Sequence, residues 1–79
     1  MSNNDKLYAA FAAGLHIDPD RINDDLTYNT IPEWDSVGHM ALVVEIENAF
    51  DVMLDTDDII NLSSVGKAKE ILGKYSVAF

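Results

Sequence analysis

Trp34-Asp35-Ser36-Val37-Gly38-His39-Met40-Ala41-Leu42-Val43-Val44-Glu45-Ile46-Glu47-Asn48-Ala49-Phe50 is the stretch on which the fold turns. Val37, Met40, Leu42, Val43, Val44, Ile46, Ala49 and Phe50 give it an apolar face wider than a simple surface helix carries, so two neighbouring helices are needed to cover it. Pro32 breaks whatever precedes it, Asp35 or Ser36 can cap the free amides of a first turn, and Asp51 closes the run. The β-branched Val43, Val44 and Ile46 favour a strand, but there is no two-residue alternation and no partner strand. The segment therefore reads as a helix from Ser36 to about Phe50.

Upstream, Leu7, Ala10, Phe11 and Leu15 recur at three- and four-residue steps, which predicts a helix from about Asn3 to Leu15 ended by Gly14 and then Asp18-Pro19. The polar, turn-rich segment from His16 to Asp35 is long for a loop in a compact domain. Its five apolar residues, Ile17, Ile22, Leu26, Tyr28 and Ile31, predict that it packs down over the core, with one helical turn from Pro19 or Asp20 through Ile22. Downstream, Thr56 can cap a short turn through Asp57, Asp58, Ile59 and Ile60, with acids placed well at its N-terminus. Ser63 or Ser64 can cap a last helix to about Tyr75 that turns Val65, Ala68, Ile71, Leu72 and Tyr75 inward and Lys67, Lys69 and Lys74 outward. The expected fold is all-α: a small four-helix bundle of three longer helices and a short third one, with a long loop between helices 1 and 2.

The chain has 79 residues, which predicts a single domain over 1–79, and 48% apolar residues, enough for a core. Fourteen carboxylates against five Lys and Arg leave a formal charge of −9. That balance argues against nucleic acid and anionic membrane surfaces and favours basic protein partners. Zero cysteines exclude a disulfide framework, a thiolate metal site and a cysteine nucleophile. The polar, acidic start and the absence of a run of roughly 20 apolar residues predict a soluble, cytoplasmic protein without membrane insertion. A monomer is expected.

Signatures of catalysis are nearly absent. There is no Gly-rich phosphate loop, no HExxH and no calcium-loop spacing. His16 and His39 lack metal-ligand companions, and the pairs Asp24-Asp25 and Asp57-Asp58 read as solvated loop and helix-start acids. What remains is Ser36. A hydroxyl at a helix start is exposed, and the first-turn amides and dipole favour an adjacent phosphate, partly offset by Asp35. No base activates the serine, and a lone His39 makes no triad, so another enzyme would have to modify it. The same residues also read as an ordinary N-cap.

Asp35-Ser36-Val37 at a helix head, followed by Glu45-Ile46-Glu47-Asn48-Ala49-Phe50-Asp51-Val52, resembles the acyl carrier protein family. The resemblance runs from Leu7 to Leu72 and includes the long first loop, the short helix around Asp57 to Ile60 and the Leu62-Ser63-Ser64-Val65 entry to the last helix. It implies that Ser36 receives 4′-phosphopantetheine from coenzyme A, with Asp35 and Val37 beside the attachment point. The chain would then be no enzyme but a carrier of acyl thioesters. The implied partners are a phosphopantetheinyl transferase, an acyl- or aminoacyl-loading enzyme and a downstream synthase or transferase. They would be met by Asp35, Val37, Met40, Glu45, Glu47, Asp57 and Asp58. Carriers of fatty acid synthesis usually bear further acids just after the serine. Here Gly38 and Ala41 stand there, which together with Trp34 points to a specialised pathway such as polyketide, secondary-metabolite or cell-surface synthesis. Gly38 can be read as room for the arm or a partner, Trp34 as an aromatic anchor of the loop and His39 as an exposed helix residue near the arm. Val43, Ile46, Ile59 and Ile71 read first as core and second as lining for a sheltered chain. Two alternatives stay open: a peptidyl or aminoacyl carrier, and an unmodified acidic helical adaptor.

Overall fold

The computed structural model describes residues 2–79, and among these the fold is all-α. The elements are α1 Asn3–Leu15, α2 Ser36–Phe50, α3 Thr56–Asn61 and α4 Val65–Gly73, with a single 3-10 turn at Pro19–Arg21. The four-helix order, the short third helix and the long first loop match the expectation from sequence.

Each helix has a local cause. Ser2 opens α1 by accepting the Asp5 N–H at 3.1 Å, Asp35 opens α2 by accepting the Gly38 N–H at 2.8 Å, and Ser64 opens α4 by accepting the Lys67 N–H at 2.9 Å. Thr56 is not a cap: it is the first residue of α3, and the flanking Asp55 makes no capping bond. The last helix is shorter than expected and ends at Gly73. Helices α1 and α2 stop at His16 and Asp51, both left-handed at φ 57° and 54°.

Gly14 does not end α1. It lies inside the helix where α1 crosses α2, and a Cβ there would sit 2.6 Å from the Leu42 Cα. The missing side chain lets the two backbones approach, and the left-handed turn is supplied by His16 two residues on. Gly38 has a comparable reason. A Cβ at Gly38 would collide with the Glu33 carbonyl oxygen, so this glycine accommodates the chain's own loop rather than an arm or a partner.

The core gathers Leu7, Phe11 and Leu15 from α1, Leu42, Val43 and Ile46 from α2, and Val65, Ala68, Ile71 and Leu72 from α4 around Trp34 and Leu62. The loop lies over this core as expected from Ile17 and Ile22, which are buried, and from Leu26 and Ile31, which are half-buried. Tyr28 departs from that pattern and is 41% exposed. The loop's backbone pairs with the head of α4: the Tyr28 N–H donates to Ser63 O at 2.8 Å, and the Val65 N–H donates to Leu26 O at 3.0 Å. Asp24 adds a tie by accepting from Tyr8 Oη at 2.7 Å and from Lys69 Nζ. Those neighbours, Lys69 foremost, hold its carboxyl below the ordinary range.

Asp58 corrects the reading of Asp57-Asp58 as two solvated acids. Its residue is 3% exposed, and its carboxylate takes an ion pair from Lys74 and a hydrogen bond from Tyr75 Oη at 2.7 Å. The turn of α3 aims it at the end of α4 while Asp57 stays in solvent. The Lys74 contact first, then the Tyr75 hydroxyl, hold the Asp58 carboxyl below its ordinary value of 3.8.

Two outcomes are expected. Gly14→Ala gains helix propensity, but backbone overlap with Leu42 dominates, and denaturant melts should show a net loss of roughly 1–3 kcal/mol. Asp58 has a depressed folded-state pKa, so its stabilisation is full above 3.8 and is lost as pH falls below that through the depressed value. Asp58→Asn should therefore lower stability at neutral pH and flatten its decline in acid, read by chemical melts across an acid pH series.

Candidate functional site

The loop from His16 to Asp35 delivers Ser36 to the surface by burying the residue two before it. Trp34 is fully buried, edge-on to Phe11 at 5.3 Å between ring centroids. A buried indole needs a partner for its N–H, and Trp34 Nε1–H donates to His39 Nδ1 at 3.0 Å. One turn of helix separates Asp35 from His39, and the His39 N–H closes that turn on Asp35 O at 2.8 Å. Asp35 and Ser36 are thereby carried to the surface at the entrance of α2, and both are exposed.

Ser36 is the first helical residue, with the positive end of the α2 dipole behind it. The Asp35 carboxylate occupies the Gly38 amide, and its negative charge offsets part of that field. Ser36 borders a groove of about 420 Å³ between α2, α3 and the loop, lined also by Tyr28, His39, Met40, Ile59, Ile60, Leu62 and Ser63. An exposed hydroxyl at a helix start, beside a mostly apolar groove, suits a covalently attached, flexible group that carries a phosphate at its root.

His39 is not the exposed residue expected near Ser36. It is half-buried, its Nε2–H donates to Ile59 O at 2.8 Å, and its ring lies 14° from the plane of Trp34, edge to edge across the indole hydrogen bond. The sequence carried a signal for this, since His39 stands five residues after a tryptophan whose N–H must be satisfied. That the second nitrogen reaches α3 was not readable.

The acids expected to meet partners separate into two groups. Asp35 and Asp57 are exposed. Glu47 is half-buried and accepts the Leu54 N–H at 2.8 Å, fastening the turn between α2 and α3. Asp58 is consumed by Lys74 and Tyr75 as described. Glu45 lies on the flank of α2 that faces α1, beside Lys6, Ala9 and Ala13. The outward ridge of α2 next to Ser36 is apolar instead: Val37, Met40 and Val44 are 78%, 54% and 51% exposed. Across the groove Ile60 is 71% exposed. Val43, Ile46 and Ile71, named as possible lining for a sheltered chain, are core residues with at most 4% exposure.

No helix is long and apolar enough to cross a membrane, and no group of three or more His, Cys, Asp or Glu residues able to hold a metal occurs, among the described residues. Residues 5–72 match the family model described as "Phosphopantetheine attachment site". The chain is also 34% identical over 59 residues to the acyl carrier protein of Lactobacillus johnsonii (strain CNCM I-12250 / La1 / NCC 533), a match covering 75% of this chain and 74% of that protein. No solved structure matches it. The match spans α1 through the buried part of α4, so the chain belongs to the acyl carrier protein family, whose members bear a phosphopantetheine attachment site.

Proposed function

We propose that Ser36 is the attachment point and that this chain is a carrier, not a catalyst, serving a specialised pathway. The observation that carries the reading is the exposed Ser36 hydroxyl at the head of α2, on the rim of the 420 Å³ groove, inside the matched segment 5–72. When attached, phosphopantetheine supplies a terminal thiol on which acyl groups are held as thioesters. The protein's own residues hold that point out in solvent. Trp34 and His39 anchor the turn before it, Asp35 caps the helix, and the groove offers an apolar surface alongside. Tethering of this kind replaces a bimolecular encounter by a high effective concentration at a docked partner.

Partner enzymes in this reading are a phosphopantetheinyl transferase, a loading enzyme and a downstream synthase or transferase. The net charge of −9 steers basic surfaces toward the molecule over distance. At contact, the Val37–Met40–Val44 ridge and Ile60 supply apolar area, with Asp35 and Asp57 at its rim. Carriers of fatty acid synthesis usually place further acids just after the serine. Gly38 and Ala41 occupy that stretch here, which supports a specialised pathway over the housekeeping one.

Intact mass after incubation with coenzyme A, magnesium and a promiscuous phosphopantetheinyl transferase tests the attachment. Wild type should gain one phosphopantetheine and Ser36→Ala none, while the variant keeps its fold because the cap is Asp35. No gain by wild type, with the transferase active on a control carrier, overturns the reading. The same assay separates the surface residues. Met40→Glu should cut kcat/KM for modification by about tenfold, or about 1.4 kcal/mol, without changing the melting curve. Glu47→Ala should instead cost stability, about 1–3 kcal/mol for an amide left without its charged acceptor, with little change in modification rate.

A further inference from the structure

Helices α2 and α3 meet beside Ser36, and behind that junction lie Leu42, Val43 and Ile46, which are 0%, 2% and 1% exposed. For anything attached near Ser36 to enter this core, the two helices would have to part at the groove. His39 spans the junction. Its Nε2–H reaches Ile59 O, a carbonyl in the last turn of α3 that otherwise accepts only the long, 3.4 Å bond of the capping Leu62 N–H. Its Nδ1 accepts from the buried Trp34 indole. Both bonds together require the neutral tautomer with the proton on Nε2. The ring is further held by Trp34, nearly coplanar with it at 6.3 Å between centroids, and by Tyr28 edge-on at 5.5 Å. Parting the helices would break the His39–Ile59 bond and leave the Nε2–H without its α3 acceptor, while the Trp34 indole, on the α2 side with His39, keeps the ring in the orientation that aims Nε2–H at α3.

We infer that His39 is a positioning residue that bolts α3 to α2, closing the core to cargo and restricting it to the outer groove, so that this carrier suits short acyl groups and leaves longer ones exposed. The inference rests on the carrier reading above. The groove, at about 420 Å³, lies toward the small end of the roughly 300–1,000 Å³ range of small-molecule sites and must serve both arm and cargo.

The bolt is tested first without any cargo. Imidazole ¹⁵N shifts of the unmodified protein at mildly alkaline pH should show His39 protonated on Nε2, with Nδ1 in the acceptor range. The opposite tautomer, or averaging between the two, overturns the inference. Confinement is tested on protein loaded from acetyl- or decanoyl-coenzyme A, with loading verified by mass. Hydroxylamine then attacks the thioester carbonyl. A C–N bond forms, the C–S bond breaks, and the sulfur leaves as thiolate and takes up a proton.

Wild type should release both cargoes at rates within about twofold. A decanoyl chain held inside for nine-tenths of the time would react about tenfold more slowly, and that result overturns the inference. His39→Ala should protect decanoyl but not acetyl cargo, and His39→Gln, which keeps a donor and an acceptor, should restore wild-type behaviour. If His39→Ala fails to fold by circular dichroism, His39→Leu keeps the bulk without the bonds and carries the same expectation. Equal release from the folded bolt-less variant overturns the role of His39. A wild type that takes up no phosphopantetheine refutes the carrier reading instead, and the ¹⁵N result still judges the bolt.

Discussion

The buried Trp34 indole is the constraint on which the site depends. Enclosing so large a side chain draws the end of a twenty-residue loop into the core, and its N–H cannot be left there without an acceptor. His39 answers that demand from the first full turn of α2. The loop end and the helix start are thus joined by a side-chain bond as well as by the chain. Ser36 lies between the two, held at the surface by what is buried on either side of it. The Glu33 carbonyl packs so closely over Gly38 that no side chain fits, a second fastening of loop onto helix.

Charge is allocated by the same logic. The chain is strongly acidic, but its acids are not all left free in solvent. Asp58 is spent on joining α3 to the end of α4, Glu47 on the turn between α2 and α3, and Asp24 on tying the loop to α1 and α4. The surface left around Ser36 is an apolar ridge with acids at its edge. In the proposed carrier role, long-range attraction and short-range contact would therefore be supplied by different residues, a division suited to brief encounters.

The short helix α3 joins stability to function. With six residues it cannot be stable alone. It is held by Asp58 on one side and by His39 at its end, and its Ile59 and Ile60 form one wall of the groove. Whatever moves α3 alters the groove beside Ser36.

Local rules were enough to read α1 as Asn3–Leu15, α2 as Ser36–Phe50, the 3-10 turn and the short third helix, because apolar periodicity and caps act within a few residues of sequence. The same rules put Ser36 at an exposed helix start. They failed where distant partners decide. Gly14 read as a helix end because sequence does not show that α2 crosses there. Asp58 read as solvated because Lys74 and Tyr75 lie on another helix. His39 read as exposed because its second partner, the Ile59 carbonyl, is a backbone group that no side-chain pattern announces. Sequence alone determined the helices, their order and the place of the Ser36 hydroxyl at a helix start; tertiary packing decided which polar groups are spent on holding the helices together and which remain in solvent, since a buried donor or acceptor must find its complement wherever the fold brings one within reach.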